Sequence, residues 1–130
     1  MTKLPRSAGT SLARRREAQR RGLAGETMAA LRLRLCGYRI LARRYRTKVG
    51  EIDLIACRGG VLAFIEVKRR RDLAAGLEAV TAASRFRIRR AAELFIRRNM
   101  ALSELTLRFD IIVVTPWAWP RHLADAWRES

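Results

Sequence analysis

Two short apolar runs separated by a pair of glycines dominate the hydrophobic pattern of this chain. Ile52–Cys57 and Val61–Val67 are rich in Ile, Leu, Val and Phe, and Gly59-Gly60 lies between them. Two glycines between β-forming runs predict a tight hairpin, because such turns need residues that accept a positive φ. We therefore expect two adjacent antiparallel strands, whose apolar composition is typical of strands in the middle of a sheet.

Helical periodicity appears on both sides of this hairpin. Apolar residues at three- and four-residue spacing predict a helix from about Ala18 to Cys36, and Gly37 would end it. Thr81 is a suitable N-cap for a second helix that would run to about Asn99.

Two further strands complete the pattern. Tyr38–Tyr45 is predicted to be a strand that precedes the hairpin. The apolar run of Arg108–Thr115 predicts a strand buried on both faces, in which Asp110 would form a structural salt bridge with Arg108. Asp72–Ala79, which contains Gly76, is predicted to be a loop, and a short element would end the chain.

The order helix, three strands, helix, strand indicates an α/β fold. The first three strands would form an antiparallel meander, and the fourth, which follows a helical crossover, would run parallel to one of them in a mixed sheet. A length of 130 residues indicates one domain. We place this domain at residues 18–130 and interpret residues 1–17, which include Arg14-Arg15-Arg16, as a flexible basic arm.

Four charged residues interrupt the hairpin strands. If the turn has two residues, Asp53 lies opposite Glu66 and Glu51 lies opposite Lys68. Opposed residues have Cβ atoms about 4.5–5.5 Å apart, and two carboxylates at that distance repel each other and lose hydration. A Mg²⁺ ion, which carboxylate oxygens bind, would offset this cost. A salt-bridged cluster at the end of the hairpin is the alternative interpretation.

Six motifs together resemble the YraN family (UPF0102), whose small bacterial members are regarded as candidate endonucleases related to archaeal Holliday-junction resolvases. An Asp followed by Glu-x-Lys on a strand-turn-strand is also the signature of the PD-(D/E)xK nucleases. GEIDLI and ExK are the specific motifs. The six are GxxGE (Gly22–Glu26), GYRIL (Gly37–Leu41), GEIDLI (Gly50–Ile55), FIEVK (Phe64–Lys68), EAV (Glu78–Val80) and RFD (Arg108–Asp110).

The resemblance implies an αβββαβ core of the restriction-endonuclease type and a site for Mg²⁺ or Mn²⁺. It makes Asp53 and Glu66 the metal ligands and Lys68 the catalytic lysine. It also makes Glu51 a further acidic member of the site and Glu26 a helix-borne carboxylate that reaches the same centre. The activity implied is metal-dependent hydrolysis of DNA phosphodiester bonds, with branched or single-stranded DNA as substrate.

One position departs from the family pattern. Ser84 stands where the family often has a lysine, three residues before the basic residue Arg87. A non-catalytic nucleic-acid-binding protein on the same fold is therefore the alternative function, and an RNA- or ribosome-associated protein is a weaker one.

Charge points to the same class of partner. The chain has 28 Lys and Arg residues against 12 Asp and Glu residues, a formal net charge of +16. Such a balance favours a polyanionic partner, above all a nucleic acid, and the resemblance implies DNA rather than RNA. The chain has no apolar run of the ~20 residues that a membrane span needs and no signal peptide, so we expect a cytoplasmic bacterial protein without a membrane partner.

Basic residues near the acidic cluster are the candidates for contacts with the nucleic-acid backbone. They come from a predicted loop over Arg43–Lys48, from the end of the third strand and from one face of the second helix. That helix face is either solvated or backbone-binding. The set is Arg43, Arg44, Arg46, Lys48, Arg69, Arg70, Arg85, Arg87 and Arg89.

The remaining chemistry is sparse. Cys36 and Cys57 are the only cysteines and His122 is the only histidine, which excludes a disulfide framework, a zinc site and Ser-His or Cys-His catalysis. The tryptophans near the C-terminus would pack against the sheet or in a dimer interface, or would stack on nucleobases. A homodimer would suit a four-way-junction substrate.

Overall fold

The computed structural model describes residues 6–128 and contains a five-stranded sheet with helices on both faces. The two long helices are α1 (Arg6–Leu35) and α3 (Ala82–Arg98). The other elements, in chain order, are β1 (Arg39–Arg46), β2 (Glu51–Arg58), β3 (Val61–Arg69), α2 (Leu73–Glu78), a 3-10 turn (Met100–Leu102), β4 (Thr106–Val114) and β5 (Arg121–Trp127).

The strands are arranged in the spatial order β1-β2-β3-β4-β5. The first three form an antiparallel meander, β4 pairs in parallel with β3, and β5 pairs antiparallel with β4. The predicted mixed sheet, with a parallel fourth strand after a helical crossover, is confirmed. β3, the third of the five strands, pairs with β4 over a long stretch, from Val61↔Thr106 to Arg69↔Val114.

Each face of the sheet has its own apolar core. Ala29, Ala30 and Leu33 of α1 pack against one face, whereas Ile88, Ala91 and Phe95 of α3 pack against the other. The last five residues of β4 are buried, as predicted for a strand covered on both sides. Gly37, with φ +87°, ends α1, and the Thr81 hydroxyl caps α3 by accepting from the Ser84 N–H.

Asp110 is the one fully buried carboxylate of the described core, and its predicted ion pair with Arg108 is confirmed. Arg108 donates two hydrogen bonds of 2.8 Å to this carboxylate. His122 Nε2 lies 2.7 Å from it and the Asp125 N–H donates to it. Burial alone would raise the pKa of Asp110, but these hydrogen bonds outweigh it and hold the pKa below the ordinary value.

The structure differs from the predicted pattern at four places. α1 begins at Arg6 rather than near Ala18, so residues 6–17 of the predicted arm are helical; residues 1–5 lie outside the described residues. Asp72–Ala79 is a capped short helix rather than a loop, because the Asp72 carboxylate accepts from the Ala75 N–H. The chain ends in a full strand, β5, where we predicted only a short final element. Three basic residues of the predicted loop lie on β1 instead, namely Arg43, Arg44 and Arg46.

Candidate active site

The pairing between the two strands of the hairpin ends about half-way along their length. They are paired from Arg58↔Val61 to Leu54↔Ile65, which confirms the predicted two-residue turn and register. Beyond Leu54, β2 continues along β1 as far as Glu51. Beyond Ile65, β3 continues along β4. A gap therefore opens in the sheet between residues 51–53 and residues 66–69, and the backbone groups that face it are not paired across the hairpin.

Asp53 occupies this gap. Its Oδ2 accepts a hydrogen bond of 2.7 Å from the Val67 N–H, a bond that replaces the missing strand pairing. Ile52 packs in the core beneath α3 and Leu54 in the core beneath α1, so the usual alternation of faces is broken at Asp53. Neither the Asp53–Glu66 nor the Glu51–Lys68 opposition that we predicted is a strand pair, because the pairing ends one residue earlier.

Burial and neighbouring carboxylates make the charge of Asp53 costly. Loss of hydration, followed by repulsion from Glu66, raises the pKa of Asp53 to about 7 from an ordinary value of 3.8, and Glu26 adds to the rise. The hydrogen bond from Val67 and the positive charge of Lys68 act in the opposite direction without cancelling it. Glu66 and Glu26 are therefore close enough to Asp53 for their charges to raise its pKa.

Glu26 reaches the gap from α1. The residue is 6% exposed, and its Oε2 lies 3.5 Å from the Arg44 Nε. Among the described residues its buried Oε1 has no hydrogen-bond partner. Burial raises the pKa of Glu26 more than Arg44 and its neighbouring arginines lower it. An acceptor oxygen buried in this way can accommodate a cation.

Glu66 and Lys68 form a close ion pair on β3, with 3.0 Å between Lys68 Nζ and Glu66 Oε1. Both side chains are largely buried, at 14% and 21% exposed. Alternation along β3 places them on the face of Phe64, whereas Val67 and Arg69 line the cavity on the α1 side. Asp53 therefore approaches Glu66 through the gap between the strands, not along one regular face.

A cavity of about 170 Å³ lies in front of the gap. Three carboxylates line it, those of Glu26, Glu51 and Asp53. Glu51 is the outermost: its side chain is 65% exposed and lies 3.6 Å from the Arg46 guanidinium rather than near Lys68. Arg44, Arg46 and Arg69 provide the basic part of the lining. The cavity thus combines acidic groups with arginines that could hold a phosphate.

Comparison with known proteins identifies the family. The profile of the Uncharacterised protein family UPF0102 matches residues 25–114. The chain belongs to the UPF0102 family. It is 50% identical to a UPF0102 protein of Mesorhizobium japonicum over 114 aligned residues. These residues cover 88% of this chain and 91% of the relative. A UPF0102 protein of Rhizobium meliloti is 50% identical over 113 residues, 87% of this chain and 93% of the relative.

The UPF0102 relatives carry no activity in their names. A relative from Parvibaculum lavamentivorans, 50% identical over 111 residues with 85% of this chain and 84% of the relative covered, is likewise named only as a UPF0102 protein. Membership therefore confirms the family that the motifs indicated.

The predicted basic residues of this UPF0102 chain divide into two groups. Arg44, Arg46 and Arg69 line the carboxylate cavity, and Lys48 lies in the next cleft along β1. The others lie elsewhere: Arg43 donates to the Thr27 hydroxyl on α1, Arg70 is exposed at the end of β3, and Arg85, Arg87 and Arg89 are on α3. In the part of the chain that the structure describes, no helix is long and apolar enough to cross a membrane.

The donor atoms of the gap fit a hard divalent cation. Within residues 6–128, no three side chains of His, Cys, Asp or Glu are close enough together to hold a metal ion as they stand. Mg²⁺, however, is usually held by one or two carboxylates, with water and phosphate oxygens as its other ligands. Asp53, with its raised pKa, and Glu26, with an oxygen that lacks a hydrogen-bond partner among the described residues, offer this kind of site.

Two features of the site escaped the sequence reasoning. The first is the Val67 N–H, which donates the hydrogen bond that anchors Asp53. It is a backbone group, so a motif of side chains does not reveal it. Ser84 donates a hydrogen bond of 2.9 Å from its hydroxyl to the Thr81 carbonyl oxygen at the start of α3. Ser84 therefore stabilises the helix end and does not enter the cavity lining.

Proposed function

We propose that this chain is a metal-dependent endonuclease of the PD-(D/E)xK superfamily that hydrolyses DNA phosphodiester bonds. The observation that carries the proposal is the gap between β2 and β3. It places Asp53 beside backbone that β2 and β3 do not pair, with Glu66 and Glu26 near enough to raise the pKa of Asp53. A protein that only bound a polyanion would gain nothing from negative charge at this point.

Each residue of the gap has a role that its surroundings support. Asp53 and Glu66 would hold Mg²⁺ or Mn²⁺, and Glu26 would add an oxygen from α1. The backbone of Val67 fixes the Asp53 carboxylate, so the ligand needs little reorganisation. Bound Mg²⁺ or Mn²⁺ would supply positive charge beside the phosphate oxygens and would make a water molecule more acidic.

Lys68 would act on the phosphate rather than on the metal. In the structure its ammonium group neutralises Glu66 at 3.0 Å. With Glu66 engaged by a cation, Lys68 would be free to stabilise the charge that develops on the scissile phosphate. Arg69, the next residue of β3, lines the cavity on the opposite face of the sheet and would hold the phosphate from the α1 side.

The charge of the chain suits a nucleic-acid substrate. A formal net charge of +16 attracts any polyanion, and Arg44, Arg46 and Arg69 place part of that charge at the cavity. Arginine contacts to phosphates position a duplex or a strand without reading its sequence. We therefore propose recognition by charge and shape, with branched or single-stranded DNA as the substrate class.

The test compares cleavage with binding. Wild type, Asp53→Asn and Lys68→Ala are incubated with single-stranded, duplex and four-way-junction DNA and with RNA, with Mg²⁺, Mn²⁺ or EDTA. Asp125→Asn is the matched control, because Asp125 is far along β5 and has φ 55°, a conformation that Asn accepts readily. We expect cleavage of DNA only with a metal, lost in both site variants and kept in the control.

Binding in EDTA completes the test. We expect Asp53→Asn to bind DNA at least as well as wild type, because it removes a negative charge. If every substrate is bound and none is cut with either metal, the non-catalytic alternative is correct. If RNA is cut and DNA is not, the substrate class is wrong.

A further inference from the structure

Two tryptophans that follow β4 lie outside the core. Trp117 is fully exposed and Trp119 is 47% exposed. Trp127, by contrast, is buried and stacks on Phe109 with 5.4 Å between the ring centroids. Of the alternatives predicted for the tryptophans, packing against the sheet is therefore confirmed for Trp127. Trp117 does not pack against the sheet, and a dimer interface and base stacking remain its two alternatives. Two exposed tryptophans this close in the chain form an aromatic surface of the kind that is frequent at binding sites.

The backbone at Trp117 supports this interpretation. Its φ is +63°, in the left-handed region where bulky side chains are rare outliers. Pro116 precedes it and the buried Pro120 follows, and Arg32 of α1 donates a hydrogen bond to the Pro120 carbonyl oxygen. The surrounding segment thus holds Trp117 in an unfavourable conformation with its ring in solvent. Glycine would adopt this conformation without cost, so a binding role of the aromatic ring would account for the strain.

The tryptophans border a groove that adjoins the carboxylate cavity. The groove has a volume of about 430 Å³ and is lined by Ala24 and Met28 of α1, by the end of β4 and by the tryptophan segment. Gly25 and Arg69 line both the groove and the cavity. A ligand in the groove would therefore lie next to the proposed site of cleavage, and Arg69 borders both.

The other side of the cavity has a different chemistry. Arg46 is shared with a cleft that also contains Lys48 and Arg98. The carboxylates thus lie between a basic cleft and an aromatic groove. The basic cleft suits phosphates of any nucleic acid, whereas the aromatic groove suits a flat apolar group attached to an anionic chain. A nucleotide with an exposed base is such a group, since bases stack on aromatic side chains without regard to sequence.

We propose that the Trp117–Trp119 groove binds unpaired bases of a single-stranded segment next to the scissile phosphate. Bases within a duplex are stacked on both faces and cannot enter the groove. The groove would thus select single strands, flaps or the single-stranded arms of branched DNA. The location of the scissile phosphate rests on the proposed function, but binding of the base does not require cleavage.

The test measures binding without metal, in EDTA. The probes are a fluorescent oligothymidylate, the same strand with abasic sites, and a duplex of equal length. We expect Trp117→Ala and Trp119→Ala each to weaken binding of oligothymidylate by about tenfold, within the range for one stacked base. Binding of the abasic strand and of the duplex should be the same in wild type and in both variants.

Two controls separate stacking from folding. Trp117→Gly removes the ring and relieves the left-handed strain, so its thermal stability should equal or exceed that of wild type while its affinity for oligothymidylate falls as in Trp117→Ala. Trp117→Phe keeps an aromatic face and should restore most of the affinity. Oligothymidylate should also quench the tryptophan fluorescence of wild type more strongly than the abasic strand does.

Three outcomes would overturn the proposal. The first is a loss of affinity in the tryptophan variants that is as large for the abasic strand as for oligothymidylate. This would show that the tryptophans do not contact bases. The second is wild-type affinity in the tryptophan variants. The third is a wild-type dimer that Trp117→Ala converts to a monomer without a change in affinity, which would assign the groove to a second copy of the chain.

The fate of the proposed nuclease activity is read separately. If no substrate is ever cut but the base-dependent affinity is lost in Trp117→Ala, the groove is correct and the catalytic proposal fails. If DNA is cut and the tryptophan variants bind and cut as wild type does, the groove proposal fails and the catalytic proposal remains.

Discussion

Replacing Asp53 with asparagine should stabilise the metal-free protein at alkaline pH. Asp53 is held in a gap of the sheet where burial and Glu66 raise its pKa to about 7. The amide of asparagine has nearly the same shape and can still accept the hydrogen bond from the Val67 N–H, but it carries no charge. Asp53→Asn therefore removes a cost and keeps the contact, the opposite of the usual effect of a change at a buried polar residue.

The size of the effect follows from proton linkage. Between the ordinary value of 3.8 and the raised value of about 7, the folded state holds a proton at Asp53 that the unfolded state has released. As the pH rises through this range, the free energy of unfolding thus falls by up to ~1.4 kcal/mol for each pH unit. Above pH 7 the full cost is present, roughly 4 kcal/mol as an upper limit. Relaxation and screening in the gap should reduce this to about 2 kcal/mol.

The assay is urea unfolding in EDTA at pH 5 and pH 8, followed by far-UV circular dichroism. We expect Asp53→Asn to be more stable than wild type by about 2 kcal/mol at pH 8 and by less at pH 5, where the wild-type carboxyl keeps its proton. Asp125→Asn serves as the control and should show no such pH-dependent difference. Addition of Mg²⁺ at pH 8 should stabilise wild type and leave Asp53→Asn unchanged.

A variant less stable than wild type at pH 8 would refute this reasoning. It would mean that the Asp53 carboxylate is satisfied by the surrounding protein, as Asp110 is, and that the gap needs no cation. A difference between wild type and Asp53→Asn that stays constant from pH 5 to pH 8 would also contradict the raised pKa.

Further predictions concern other parts of the molecule. Asp110→Asn should destabilise the fold by roughly 3 kcal/mol at pH 7 in urea unfolding, since it leaves the Arg108 charge poorly compensated. Because the pKa of Asp110 is lowered, its stabilising effect should be present above pH 4 and lost as the pH falls below the ordinary value of 3.8. Gly50→Ala should destabilise by about 1–3 kcal/mol, since its Cβ would collide with the Arg87 carbonyl oxygen of α3. Gly60→Ala, where a Cβ would meet open space, should be nearly neutral in the same measurement.

The sequence was most informative where local pattern decides the structure. The glycine pair of the hairpin set the register of β2 and β3, and the Arg108–Asp110 pair was recognisable because the two residues lie on one face of a strand. The gap between the strands was not predictable in this way. It arises because β2 follows β1 and β3 follows β4, and the pairing preferences of distant strands are not written in the hairpin itself.

Elements that depend on long-range contacts were missed for similar reasons. α2 is only six residues long and contains a glycine, Gly76, that is needed because a Cβ there would collide with Val113 of β4. β5 follows two prolines and pairs with β4 through an irregular register, so its own pattern is weak. The deep burial of Glu26 likewise comes from the packing of α1 on the sheet, which its position on a helix edge did not indicate.

Binding of Mn²⁺ tests the central claim most directly. Isothermal titration calorimetry at pH 8 should show saturable Mn²⁺ binding by wild type, weakened at least about tenfold by Asp53→Asn, as expected for the loss of a ligand carboxylate. Asp125→Asn should bind Mn²⁺ as wild type does. Equal Mn²⁺ affinity in wild type and Asp53→Asn would contradict a metal site in the gap between β2 and β3.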